Sequence, residues 1–124
     1  MIIRLLTYLL ALVFFASGGA KLAALPFELE AFARWGYPLW FMYLTGALEV
    51  AGALGLLIPR LSALAAACLG LLMIGAVATH ALHAEWPMLA LASTIMLLAG
   101  WRGWVGRAQI ASLFVTRPGQ AGAP

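Results

Sequence analysis

The run "YLTGALEVAGALGLLIP", from Tyr43 to Pro59, holds one charged group, Glu49, near its middle. A carboxylate in such surroundings is costly, about 2.5–3.5 kcal/mol at a bilayer centre even on insertion scales, and marks a functional site by default. Its helical stripe carries Thr45, Gly46, Gly52 and Ala53. Small residues let helices approach closely, so Glu49 is expected to face inward. A second charge is placed alike. In "FFASGGAKL", Lys21 shares a stripe with Phe14, Ser17 and Gly18. His80 closes another apolar run, with His83 one turn later. A carboxylate, an ammonium and an imidazole together can pass a proton or stabilise an anion. His-x-x-His spacing can also share a metal, but only carboxylates such as Glu85 lie near it, so no metal site is expected. The candidate catalytic set is therefore Glu49, Lys21 and His80. The structural alternative is a buried ion pair that only sets helix register.

These groups must be positioned by membrane-spanning helices. Of 124 residues, 65% are hydrophobic and 9% charged, against about 25% charged in a soluble domain. With a mean hydropathy of +1.04, lipid must be the solvent for most of the surface. The net charge of +3 comes from scattered basic residues, which argues against nucleic-acid binding. The lone Cys68 can form neither a disulfide within the chain nor a CxxC pair, and is expected to pack as a small apolar residue.

A bilayer core needs about 20 helical residues per crossing. Spans are expected at about 2–24, 39–58, 61–80 and 87–104, an all-α integral membrane four-helix bundle with short loops. The start also has the basic, apolar and small-residue order of a signal peptide, but is read as the first span. Residues 106–124 are expected to form a cytoplasmic tail, amphipathic and then disordered through "RPGQAGAP".

Arg4, Arg60, Arg102, Arg107 and Arg117 fall on one side, and only Lys21 and Arg34 on the other. The excess is expected to place both termini in the cytoplasm, and the chain is expected in the cell (inner) membrane. Helical side chains lean toward their own N-terminus. Lys21 therefore leans inward from the outer end, Glu49 leans outward from the middle, and the two are expected to meet. His80 either joins them or stands as an ordinary helix-end histidine, hydrogen-bonded or facing water.

The first outer loop, "LPFELEAFARWGYPLWF", combines Glu28, Glu30 and Arg34 with six aromatics. Its periodicity suits a short interfacial helix from Phe27 to Trp35. This helix serves either as an aromatic belt or as a lid whose Arg34 meets an anionic or carbonyl group. Ser17, Arg34, Trp35 and His83 are the candidate binding residues. Trp101 and Trp104 mark the opposite interface.

Three stretches, "FFASGGAKL", "FARWGYPLWFMYLTGALEVAGALGLLIPRLSALAA" and "GAVATHALH", resemble the DoxX-like family of small four-helix membrane proteins, most strongly from Phe14 to His83. The positions carried over are Ser17, Gly18, Lys21, Pro38, Gly46, Glu49, Gly52 and His80. The resemblance implies a subunit or accessory of a quinone- or sulfur-linked redox system, since founding members look like subunits of a thiosulfate:quinone oxidoreductase. More distant relatives include assembly factors and a receptor chaperone. The chain has no cysteine pair, haem or flavin signature, so no resident cofactor is expected and a quinone is left open. Two other readings compete. One is a small enzyme moving protons on a lipophilic substrate; the other is a scaffold or chaperone in which the Glu–Lys pair is structural. Expected partners are the bilayer, a lipophilic molecule and a redox protein. A homodimer is also expected, through Ala47, Ala51 and Gly55.

Overall fold

The computed structural model describes residues 1–115, all six of its elements being helices: α1 (Ile2–Leu22), α2 (Pro26–Trp35), α3 (Leu39–Leu57), α4 (Ser62–Leu82), α5 (Trp86–Val105) and α6 (Arg107–Phe114). The four long ones have 21, 19, 21 and 20 residues and are apolar enough to cross a membrane. At about 1.5 Å per residue each reaches the ~30 Å of a hydrocarbon core. The chain is a multi-pass membrane bundle whose span ends fall within two residues of the expected ones.

α1 packs chiefly on α3 and α4 on α5; the two pairs meet through α3–α4 and α1–α5. Between them Leu10, Phe14, Leu56, Leu69 and Met73 form the core, together with Ala53, Ala66 and Ala99. Leu12, Leu48, Leu54, Leu71, Ile74 and Leu97 point outward. Large apolar side chains thus stand on the outside as well as in the core, which suits a lipid solvent, where close packing rather than hydrophobic exclusion holds helices together. Ala47 and Ala51 are exposed as well, as are Trp101 and Trp104. Cys68, expected to pack, also lies exposed on α4, because the helical period carries it off the buried Ala65–Ala66–Leu69 stripe.

The turns decide where the polar groups go. α1 ends at Ala24 in the left-handed region (φ 52), with the Leu25 amide reaching back to the Ala20 carbonyl at 3.1 Å. α4 ends alike at Ala84 (φ 54), where the Glu85 amide meets the His80 carbonyl at 3.0 Å. Both are Schellman-type closures, which satisfy carbonyls left over at a helix end. The first folds α2 back over the bundle; the second sets Glu85 beside His80. Gly36 (φ 80) caps α2 in the same conformation, and Pro38 precedes α3.

The opposite end required a correction. Arg102 was expected among the cytoplasmic-side charges near the end of a span reaching 104, but the last turn of α5 carries it inward. It is 8% exposed, with Nε donating to Thr7 Oγ1 at 2.8 Å and Nη2 to Ser62 Oγ at 2.9 Å. The beginning of the expected tail is α6, tied down by Gln109. Its Nε2 donates to the Pro59 carbonyl at 2.7 Å, and its Oε1 accepts from the Ala63 amide at 3.2 Å. The disorder expected for "RPGQAGAP" lies outside the described residues.

Candidate functional site

Lys21 stands where α1 crosses α3 at closest range. Gly18 faces Gly46 there: a Cβ on Gly18 would lie 2.7 Å from the Gly46 carbonyl oxygen, and one on Gly46 would lie 2.8 Å from Lys21 Cβ. No other residue type permits this approach without a shift, and it brings the two charged stripes into reach. Lys21 Nζ lies 3.3 Å from both Oε1 and Oε2 of Glu49. It donates to Ser17 Oγ at 2.8 Å and to Glu28 Oε1 at 3.4 Å. Lys21, Glu28 and Glu49 are all buried.

The expected meeting of Lys21 with Glu49 is thus direct, with Ser17 beside it. Glu28, expected on the outer surface, instead turns inward as a second carboxylate on the same ammonium. The signal lay in α2: Glu28, Phe32 and Trp35 share one helical stripe, and Glu28 and Phe32 are its buried residues.

The second cluster centres on Glu85. Its Oε1 accepts from the Trp35 indole N–H at 2.8 Å and from His80 Nδ1 at 3.1 Å, while Oε2 accepts from Arg34 Nη2 at 2.7 Å. Burial pushes the Glu85 carboxyl up, but the bonds from His80, Arg34 and Trp35 outweigh it and hold the group at about 2, below its usual 4.5. Its contribution to stability is therefore present above about pH 4.5 and is lost as pH falls toward 2. The stability gap between wild type and Glu85→Gln, read from denaturant unfolding, should be widest near neutrality. It should close through that window.

Nearby, Thr79 Oγ1 donates to the Gly75 carbonyl at 2.8 Å, so it accepts the Tyr37 hydroxyl proton across a second contact of 2.8 Å. His83 Nδ1 donates to the Thr79 carbonyl at 2.8 Å. His80, a candidate third member of the Lys21–Glu49 cluster, belongs to this second one, because the turn at Ala84 delivers a nearer carboxylate to its ring. The Trp35 ring covers it edge-on at 5.5 Å.

Both clusters open on one cavity of about 530 Å³, within the range of small-molecule sites. Ser17, Lys21, Arg34, Trp35, Glu49 and His80 line it, and so do Glu28, Tyr37, Thr79 and Glu85. His83 does not. Phe32, Trp35 and Phe41 form an aromatic wall under α2; Leu72, Met73, Met88, Leu91 and Ile95 extend the cavity apolarly between α4 and α5. α2 borders the cavity through Phe32 and Trp35, and Arg34, expected to meet an anionic or carbonyl group, is engaged by Glu85. Tyr37, Thr79 and Glu85 were missed as site residues. Tyr37 and Thr79 each fit an ordinary interfacial position, and no local pattern ties Glu85 to a loop 50 residues earlier.

The family model described as the DoxX-like family matches residues 5–113. An uncharacterized protein of Bacillus subtilis (strain 168), YdgD, is 35% identical over 102 residues, covering 73% of this chain and 90% of the relative. No solved structure matches the chain.

Proposed function

The chain belongs to the DoxX-like family, and from that membership and the two-sided cavity we propose that it is a membrane accessory of a redox system, binding a lipophilic ring compound of the quinone class. The carrying observation is that the Lys21–Glu49 pair opens on a cavity of about 530 Å³ with an aromatic wall and an apolar extension. A pair kept only for helix register would be served as well by a closed, dry bundle.

Lys21 supplies the polar contact. Its bonds to Glu28 and Glu49, at 3.4 and 3.3 Å, are longer than the 2.7–2.9 Å of strong charge-assisted bonds. An acceptor entering the cavity can therefore compete for the ammonium. Phe32 and Trp35 would lie against a ring, with the isoprenoid or acyl part among Leu91, Ile95 and Met88. A bound quinone would supply two-electron, two-proton chemistry. The chain's own part is to orient the carbonyl end and hold protons at its carboxylates. On this reading the cavity mouth faces outward and both termini are cytoplasmic.

A proton-transfer enzyme is the second reading, favoured by one detail. Two carboxylates share a single ammonium, so the cluster can take up one proton and keep an ion pair. Purification in native lipid followed by mass spectrometry of the extract tests both readings against a scaffold. Wild type should retain a quinone-sized lipophile, and Lys21→Gln, which removes the contacting ammonium, should retain about tenfold less, the equivalent of one lost polar contact. A different lipophile lost from the folded variant directs an enzyme assay instead. Loss of a co-purifying protein with no small molecule bound overturns the cavity reading in favour of a scaffold.

A further inference from the structure

The opposite end of the bundle holds a second cavity, of about 430 Å³, between the start of α1, the end of α3 and the α4–α5–α6 corner. Arg102 lines it from inside and Arg4 from its rim. The pairing of Arg102 is incomplete. Its guanidinium has five donors, and among the described residues only Thr7 and Ser62 accept from it.

Neither acceptor is charged, and both hydroxyls spend their own protons on backbone carbonyls. Thr7 donates to Ile3 at 2.7 Å and Ser62 to Pro59 at 3.0 Å. Among the described residues no side-chain carboxylate serves, since the acidic residues are Glu28, Glu30, Glu49 and Glu85. Two of these hold Lys21, Glu85 holds Arg34 and His80, and all four belong to the other half of the fold. Burying an arginine without an opposite charge costs several kcal/mol. Yet the fold takes Arg102 in, gives it two oriented hydroxyls, and sets all three residues on a cavity that a second cation also lines.

The cavity also lies at the ends of the membrane-spanning helices. Its walls are the first turns of α1 and α4 and the last turn of α3, with Leu56 and Leu57 continuing into the apolar layer. Helix ends of this kind meet lipid headgroups. Guanidinium groups are the preferred partners of phosphate, binding it through paired N–H donors.

We propose that this cavity binds a phosphate group, with Arg102 as its buried cation and Arg4 as its outer one. The phosphate is carried either by an anionic phospholipid headgroup or as the free anion. Binding supplies the charge that Arg102 lacks and ties α1, α4 and α5 together at their termini.

The test uses the full chain in a zwitterionic detergent, with thermal unfolding and native mass spectrometry as readouts. Phosphatidylglycerol, phosphatidylcholine and inorganic phosphate are added separately. Phosphatidylglycerol should raise the melting midpoint and stay bound about tenfold more tightly than phosphatidylcholine. Stabilisation by inorganic phosphate as well identifies the free anion as a ligand; stabilisation by phosphatidylglycerol alone identifies the lipid.

Arg4→Gln should lower the preference for phosphatidylglycerol about tenfold, and Arg102→Gln should abolish it. Arg60→Gln removes a cation at the same membrane face but outside the cavity, and should leave the preference unchanged. Arg4 is exposed, so its variant decides the matter even if Arg102→Gln fails to fold. An undiminished preference in Arg4→Gln, an equal loss in Arg60→Gln, or no stabilisation by either anionic probe overturns the site.

Discussion

Replacing Lys21 by methionine should lower the stability of the bundle by about 3–5 kcal/mol, the cost of leaving one side of a buried ion pair uncompensated. The loss is large because one ammonium serves two buried carboxylates. Without it, Glu28 and Glu49 face each other across a site shielded from solvent, with only Ser17 in place to bond either. Glu49→Gln is the informative contrast. It removes one negative charge but keeps an oxygen where Lys21 can reach it, and Glu28 still neutralises the ammonium at 3.4 Å. A cost of about 1–2 kcal/mol follows, typical of one weakened hydrogen bond to a charged group. Unfolding titrations in mixed micelles measure both variants. Equal losses would mean that Glu28 contributes nothing, and the cluster would reduce to the simple pair expected from sequence.

That contrast shows where the sequence was legible. Glu49 could be turned inward because its stripe is small-residued, and Lys21 could be paired with it because antiparallel helices tilt their side chains toward each other. Both inferences use the period of one helix and the order of the spans, which hydropathy makes plain. Glu28 needed more. Its inward turn depends on α2 folding back at Ala24, and an alanine in the left-handed region carries no mark of the turn that a glycine would supply. Ala84 hid the placement of Glu85 against His80 in the same way.

Arg102 was misread for a different reason. A charge near the end of an apolar run looks like a flank. Its partners, Thr7 and Ser62, are 95 and 40 positions away and were unremarkable in their own spans. The visible features were those of single helices; the hidden ones were made by the reversals between them.

The crossing of α1 with α3 offers the sharpest test of how the site is held. Gly46→Ala should destabilise the protein by about 1–3 kcal/mol, the usual cost of overpacking. The added methyl would lie 2.9 Å from the Gly18 carbonyl oxygen and 2.8 Å from Lys21 Cβ, and neither neighbour is the free end of a side chain. The helices must part, and the parting occurs one turn from Glu49 on one strand of the crossing and at Lys21 itself on the other. Gly19→Ala, one residue along α1 from Gly18, meets nothing within 4 Å. It should stabilise instead, by up to about 1 kcal/mol, because alanine is the better helix former. Thermal unfolding of the two variants separates packing from propensity, since both add the same methyl to adjoining turns of the same helix pair. If Gly46→Ala also loses the lipophile retained by wild type while Gly19→Ala keeps it, then the glycine contact holds the cavity's polar end in place. Should Gly46→Ala match Gly19→Ala in stability, α1 and α3 cross less closely than described. The Lys21–Glu49 contact would then need another cause.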